Sequence, residues 1–330
     1  MIEQRTAVGK AGPSQPQAVV SIFQQPWWLI AAGGSQLERA EVVWSGVTVA
    51  SIAFVRTRRF GVTQLDMPPY TRTLGPTLHL PASGLAKYER NCHRAVGDLL
   101  KALPRHDRYQ TILAPDDQSA FPLLLSGCTL GQNFTFRSPV GWSLERHWTE
   151  LDQKTRNLIR SAGKELAVSQ AGSIEDFIEL SLAERGEQNR TERSTLRRLA
   201  EIAGPKGQMA TLTAHADGKT LTAVATIVWD DSVLYFWQSA RNRETTRSGA
   251  VALLIWEAMS MAHRKGLVFD IDGYHSLSSA RFVSRFALRP MPRATVLHMS
   301  SRGRLLQAAG RLFGRGNGLG APPLPDVAAD

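Results

Sequence analysis

Two cysteines in 330 residues, Cys92 and Cys128, are too few for a disulfide framework, and the sequence implies a chain that works in a reducing, cytoplasmic setting. Long hydrophobic runs are also missing. PWWLIAAGG and VALLIWEAMSMA are the most apolar stretches, and both are too short for a bilayer span. The first residues, MIEQRTAVGKAGPSQPQ, lack the apolar core of a signal peptide and are expected to form a flexible leader over 1–18. No P-loop, GxGxxG or GxSxG pattern occurs, which excludes the common nucleotide-loop and nucleophile-elbow chemistries. Asn91-Cys92-His93, Cys128 and the scattered histidines do not give a metal-ligand spacing, so no metal is expected. Aromatic residues do not interleave with basic ones as in RNA-recognition modules.

Acidic charge is in short supply. Lys+Arg 39 against Asp+Glu 29 leaves a net +10, carried mostly by arginine, which favours anionic partners such as a phosphorylated small molecule. With 43% hydrophobic residues the chain is long enough for two ordinary domains with real cores.

The patterning divides into two halves of related grammar. In the first, SIFQQPWWLIAAGG predicts a short helix closed by Gly33-Gly34. Alternating residues in EVVWSGVTVASIAFVRTRRFGVTQLDMPP predict antiparallel strands with turns at Gly46 and Gly61. A helix over 84–103, a strand at YQTIL, a helix in DDQSAFPLLLSG and a strand around NFTFR follow. In the second, Leu144, Trp148, Leu151, Leu158, Ala162 and Leu166 recur at helical spacing, predicting one amphipathic helix over 143–165. Arg156, Arg160 and Lys164 then form a basic ridge, either a phosphate contact or a solvated face. Two helices around 173–187 and 192–203 precede strands QMATLTAHA, KTLTAVATIVW and VLYFWQSA. Ser248 is expected to cap a buried helix over GAVALLIWEAMSMAHRKG, followed by strand LVFDID, a loop, helix ARFVSRF and strand PRATVLHM. The fold class is therefore α/β (α+β), each half a mostly antiparallel mixed sheet flanked by helices. The halves run over 19–140 and 141–299. Over 300–330, SRGRLLQAAGRLFGRG forms a basic amphipathic helix before a polar tail expected to be disordered. Leu305, Leu306, Ala309, Leu312 and Phe313 share one side, flanked by Arg302, Arg304, Arg311 and Arg315. That pattern fits a helix lying on an anionic membrane, at its inner face, or a helix docked on the body.

Several residues qualify as chemistry. A phosphorylated ligand is held by backbone N–H groups at a helix N-terminus, and Ser248-Gly249-Ala250 with Arg241, Arg243 and Arg247 nearby is the candidate. The competing reading is an ordinary helix cap with a tight packing contact. Asp270 and Asp272 alternate along LVFDID, where a carboxylate can take a proton from an attacking amine, while the alternative has one capping the loop and one paired with arginine. His275 is a further base candidate, and Ser239 a donor to a developing oxyanion. Tyr235 and Trp237 share one face of their strand and Phe236 and Gln238 the other.

This order of elements, with WTELDQKTRNLIRSAGKELAV, KTLTAVATIVWDDSVLYFWQSA, SGAVALLIWEAMSMAHRKGLVFDIDG and RFVSRFAL at its junctions, resembles the FemAB-like GNAT families. IFQQPWW and MPPYTRTLGPTL resemble the first half of such proteins, and the likeness covers roughly 20–298. The resemblance implies two GNAT-like lobes in tandem and transfer of acyl or aminoacyl groups to amines of bacterial envelope precursors, such as polysaccharides. It implies a donor carbonyl lying between VLYFWQSA and LVFDID, with Tyr235, Trp237, Arg281, Phe282 and Arg285 near the substrates. Acyl-CoA is the implied donor, with aminoacyl-tRNA as the alternative and a non-catalytic binding protein as a third reading. Two positions depart from the pattern. CoA-using members carry Q/R-x-x-G-x-G/A where this chain has Thr245-Thr246-Arg247-Ser248-Gly249-Ala250. Val283 follows Phe282 where tRNA-using members carry lysine.

Overall fold

The computed structural model describes residues 21–59, 61–115, 117–185, 190–244, 249–273 and 276–312. In the first half, helix α1 (Pro26–Gly33) leads into strands β1 (Leu37–Trp44), β2 (Val47–Arg59), β3 (Val62–Asp66) and β4 (Thr77–Leu78). Then come α2 (Leu85–Ala102), β5 (Arg108–Ile112), α3 (Ala120–Leu125) and β6 (Thr129–Arg137). The second half starts with α4 (Leu144–Glu150), α5 (Gln153–Glu165), β7 (Leu166–Gly172), α6 (Ile174–Arg185) and α7 (Arg190–Ala203). It continues with β8 (Met209–Ala216), β9 (Thr220–Trp229), β10 (Val233–Arg241), α8 (Ala250–Arg264), β11 (Val268–Asp270), α9 (Leu277–Ser284), β12 (Arg289–Met299) and α10 (Ser301–Leu312).

The strands form one sheet in the order β1-β2-β3-β5-β12-β6-β11-β10-β9-β8-β7, with β4 on β2. Its pairing is palindromic about the long antiparallel β6·β12 ladder. Outward from it on either side come an antiparallel pair, a parallel pair (β3·β5 or β10·β11) and two further antiparallel pairs, with β7·β8 added as a third on the second side. Two lobes of one design have therefore exchanged their last strands: β12 lies against β5 of the first half, and β6 against β11 of the second. The opening segment crosses over as well. Ile22, Phe23 and Trp28 pack with Phe177, Leu196, Tyr235 and Trp237 of the second half.

The helix expected over 143–165 is two helices. Asp152 accepts from the N–H groups of Lys154 and Thr155 and so starts a new helix at that point. Arg156 Nη1 donates to the carbonyls of Thr149 at 2.7 Å and Leu151 at 2.8 Å, closing the preceding turn. Leu166, assigned to the helical stripe, instead opens β7. The ridge is thereby partly consumed, since Arg156 is a cap and Arg160 stacks over Trp148 at 5.3 Å.

Helix α10 is docked through its first turn. Arg302 reaches the Asp107 carboxylate at 2.9 Å and the Gly61 carbonyl at 3.1 Å, while Leu305 is 72% exposed. Gly303 sits so tightly that a Cβ there would lie 2.1 Å from the Asp107 carbonyl oxygen. Gly303→Ala is therefore expected to undock α10, read as faster tryptic cleavage within 301–312 with the unfolding midpoint of the body unchanged. Phe313, Arg315 and the rest of the tail lie outside the described residues.

Candidate functional site

Strands β10 and β11 run parallel for only three rungs, Val233↔Val268, Leu234↔Phe269 and Tyr235↔Asp270. Beyond them β10 continues to Arg241 paired with β9 alone, while β11 stops and its neighbour becomes β6. The two strands therefore part, and among the described residues the β11-facing backbone edge of β10 has no strand partner from Phe236 onward. The register of β10 also slips between Phe236 and Gln238, with Trp237 the extra residue. Ala240 rejoins the cluster of Tyr235 and Trp237, so Gln238 turns to that side instead of sharing a face with Phe236 as simple alternation suggested.

The corresponding gap between β3 and β5 is filled by the chain itself. Leu74 N–H donates to the Ile112 carbonyl at 2.7 Å, and the Thr111 hydroxyl donates to the Leu74 carbonyl. The same segment then crosses to the second half. Arg72 Nη2 donates to the Trp237 carbonyl at 2.6 Å, and Trp237 Nε1 donates to the Tyr70 carbonyl at 2.9 Å.

Where β10 and β11 part, five charged side chains meet. Asp270 ends β11 fully buried and accepts from Arg137 Nε at 2.6 Å, from the Thr135 hydroxyl and from the Asp272 N–H at 2.7 Å. The sequence expected the strand to run through Asp272, but it ends two residues earlier. Asp272 turns into the left-handed region at φ 63°, and that turn brings its carboxylate to the same cluster. Its Oδ1 accepts from Arg293 Nη1 at 3.3 Å, and its Oδ2 lies 2.6 Å from Arg72 Nε in an ionic contact without hydrogen-bond alignment. Gly273 follows at φ 91°, a left-handed backbone that favours glycine, and a Cβ there would stand 2.7 Å from Arg293 Nη2. Both aspartates are thus paired with arginines, where the sequence had offered that fate to one.

Burial pushes the Asp272 carboxyl up to about 6, against the pull of Arg72 and Arg293 and with the help of neighbouring Asp270. Because this lies above the ordinary 3.8, the group's contribution to stability is fully present below about 3.8 and is lost as pH rises through about 6. Asp272→Asn removes that titration. The variant is expected to gain about 2–3 kcal/mol relative to the parent between pH 4 and pH 7, measured by urea unfolding at both.

Residues 146–274 match the family model described as Acetyltransferase (GNAT) domain. Over that stretch the second half is similar to GNAT acetyltransferase domains. Solved structures share the fold across nearly the whole chain. FemX aligns with a TM-score of 0.62 at 10% identity, over 90% of this chain and 96% of that one. A tandem GNAT protein from the clavulanic acid biosynthesis pathway gives 0.50 at 10% identity, over 83% and 87%. L-PGS from Bacillus licheniformis gives 0.50 at 11%, over 87% and 91%. The GNAT resemblance of the second half and the α/β two-lobed fold class thus hold. No curated protein sequence matches the chain.

Within the GNAT domain the expected site residues are spread unevenly. Ser239 is half-buried on β10, past the point where the strands part. Tyr235 and Trp237 are core residues. The Tyr235 phenol lies 3.4 Å from the Ser21 hydroxyl, is pushed up by burial, and has Phe23 against its ring. Gly249, at φ 95°, is the N-cap of α8 and Ala250 is the first, buried helical residue, while Arg241 and Arg243 are exposed. Among the described residues no side chain caps α8; Ser248, the expected cap, lies outside them, as do Arg247 and His275. A Cβ at Gly249 would meet Leu158 of α5 at 3.0 Å, so this glycine is a close packing point whatever it binds. Gly249→Ala is expected to cost about 1–2 kcal/mol by chemical denaturation, from the left-handed backbone and that contact. Arg281 and Arg285 are exposed on α9, and Phe282 packs on Phe286 at 5.3 Å beside the core.

Sequence reasoning missed Arg72, Arg137, Arg293 and Thr135. They come from a loop and two strands up to 200 residues from the aspartates they serve. No local spacing links them; the one available signal was that MPPYTRTLGPTL and NFTFR each carry an arginine at the edge of an otherwise ordinary segment.

Proposed function

We propose that the chain transfers an acyl group from an acyl-CoA-type donor to an amine. The observation that carries this reading is the parting of β10 from β11, which leaves a backbone edge beside a buried acid cluster. The donor's amide-bearing arm would pair with the open edge of β10 past Phe236, its phosphates approaching the Gly249-Ala250 end of α8 and exposed Arg243. Asp272 would take the amine's proton. Asp270 is the poorer candidate because three donors already hold it, whereas Asp272 Oδ2 has only a misaligned ionic partner. Ser239 stands where a hydroxyl can donate to the oxyanion. The family resemblance supports an acceptor among envelope polysaccharides or related precursors.

An aminoacyl-tRNA donor is the second reading, favoured by the absence of the Q/R-x-x-G-x-G/A signature at 245–250. One assay separates them. Amine-dependent release of CoA thiol from acyl-CoA is the expected result. Its absence, together with amine-dependent transfer from charged tRNA, establishes the second. If neither donor reacts or stabilises the protein, the fold serves as a non-catalytic binder. Among the described residues no helix is long and apolar enough to cross a membrane. Exposed Leu305 beside Arg302 and Arg304 supports peripheral contact of α10 with an anionic bilayer, to be read by cosedimentation with acidic vesicles.

A further inference from the structure

We infer that Arg72 is a positioning residue through which the first half governs the acid of the second: its guanidinium ties the Asp272 carboxylate to the carbonyl of Trp237 on the open edge of β10. The inference rests on the reading of Asp272 as proton acceptor for its catalytic consequence, though not for the coupling itself.

Three observations converge on Arg72. It belongs to the segment that seals the first half's own strand gap through Leu74, so its backbone is anchored two residues away. The segment is also fastened to the second half, where Tyr70 receives the Trp237 indole N–H, and to α1, where Thr71 receives that of Trp28 at 3.2 Å. From this base the Arg72 side chain spans two groups of different elements, the Trp237 carbonyl at the slip in β10 and the Asp272 carboxylate beyond β11. A carbonyl on a parted strand edge lacks a ladder donor, and a guanidinium can satisfy it while holding a carboxylate with another nitrogen. The Arg72 side chain keeps 25% of its surface open, whereas Asp272 keeps 3%.

The groups facing Asp272 are Arg72 from the loop, Arg293 from β12 and Asp270 from β11, the last itself held by Arg137 of β6. Arg293 is a buried side chain of β12, and Arg137 serves Asp270. Arg72 is the one member whose position depends on the first half's loop. Moving that loop would move the charge nearest Asp272 Oδ2, and with it the pH at which the carboxylate can accept a proton.

The test is a carbon-13 carboxyl NMR titration of the full chain labelled at aspartate, with the Asp272 signal assigned by its absence in Asp272→Asn. Arg72→Gln is expected to raise the midpoint of that signal by about one pH unit or more, because an adjacent arginine lowers a carboxyl by roughly 1–3 units. Arg72→Lys, which keeps the charge and is the variant of choice if Arg72→Gln does not fold, is expected to hold the midpoint close to the parent's. An Asp272 midpoint unmoved in Arg72→Gln, or a midpoint in Arg72→Lys raised by a unit or more, overturns the coupling. Where transfer activity is measurable, the acidic limb of the pH–rate profile should move with the NMR midpoint. A coupled titration in a protein that transfers nothing would refute the proposed function and leave the coupling standing.

Discussion

Asp270→Ala is expected to lower the unfolding free energy by about 3–5 kcal/mol, the cost of removing one partner from a buried ion pair. The carboxylate holds the Arg137 guanidinium, the Thr135 hydroxyl and the Asp272 N–H, so its loss strands a cation and two donors in the seam between the lobes. The seam is also where β6 and β12 have changed places, and Asp270 pairs directly with Arg137 across it. Glu38→Gln is the control. It breaks an exposed ion pair with Arg56 and should cost no more than about 1 kcal/mol. Guanidinium denaturation of both variants reads the difference. Similar small losses in the two would mean that the cluster adds little to holding the lobes together.

Trp237→Ala should cost about 3–5 kcal/mol, the range for emptying a buried tryptophan site. The ring is almost wholly buried between Trp28 at 5.2 Å and Tyr70 at 5.8 Å, so the cavity would open where the opening segment, the 67–75 loop and β10 meet. Trp237→Phe separates volume from bonding. It keeps an aromatic plug but leaves the Tyr70 carbonyl without its donor, and should cost about 1–3 kcal/mol. A loss in Trp237→Phe as large as in Trp237→Ala would assign the effect to the hydrogen bond rather than to the packing.

Much of the secondary structure was legible because local physics decided it. Alternation marked β8, β9 and β10, a run apolar nearly all round marked α8, and Asp217-Gly218 marked the turn before β9. The break at Asp152 was less visible, since Leu144, Trp148 and Leu158 keep helical spacing across it and only the capping aspartate betrays it. The strand exchange had no local signature at all: β6 and β12 read the same whichever sheet they join. The two aspartates could be singled out by their place after an apolar strand. Their arginines could not, because Arg72, Arg137 and Arg293 are brought to them by topology. Tyr235 and Trp237 were drawn toward the substrate by family analogy, whereas burial and the slip in β10 give both rings to the core.

The central claim is that the gap between β10 and β11 receives the acyl donor while the matching gap in the first half, filled by its own chain, does not. Hydrogen–deuterium exchange of the full chain with and without saturating acyl-CoA tests it most directly. The account predicts slowed exchange at 236–241 and at the first turn of α8, with 62–66 and 108–112 unchanged. Protection confined to the first-half strands, or none in β10 while the donor is demonstrably bound, would contradict it.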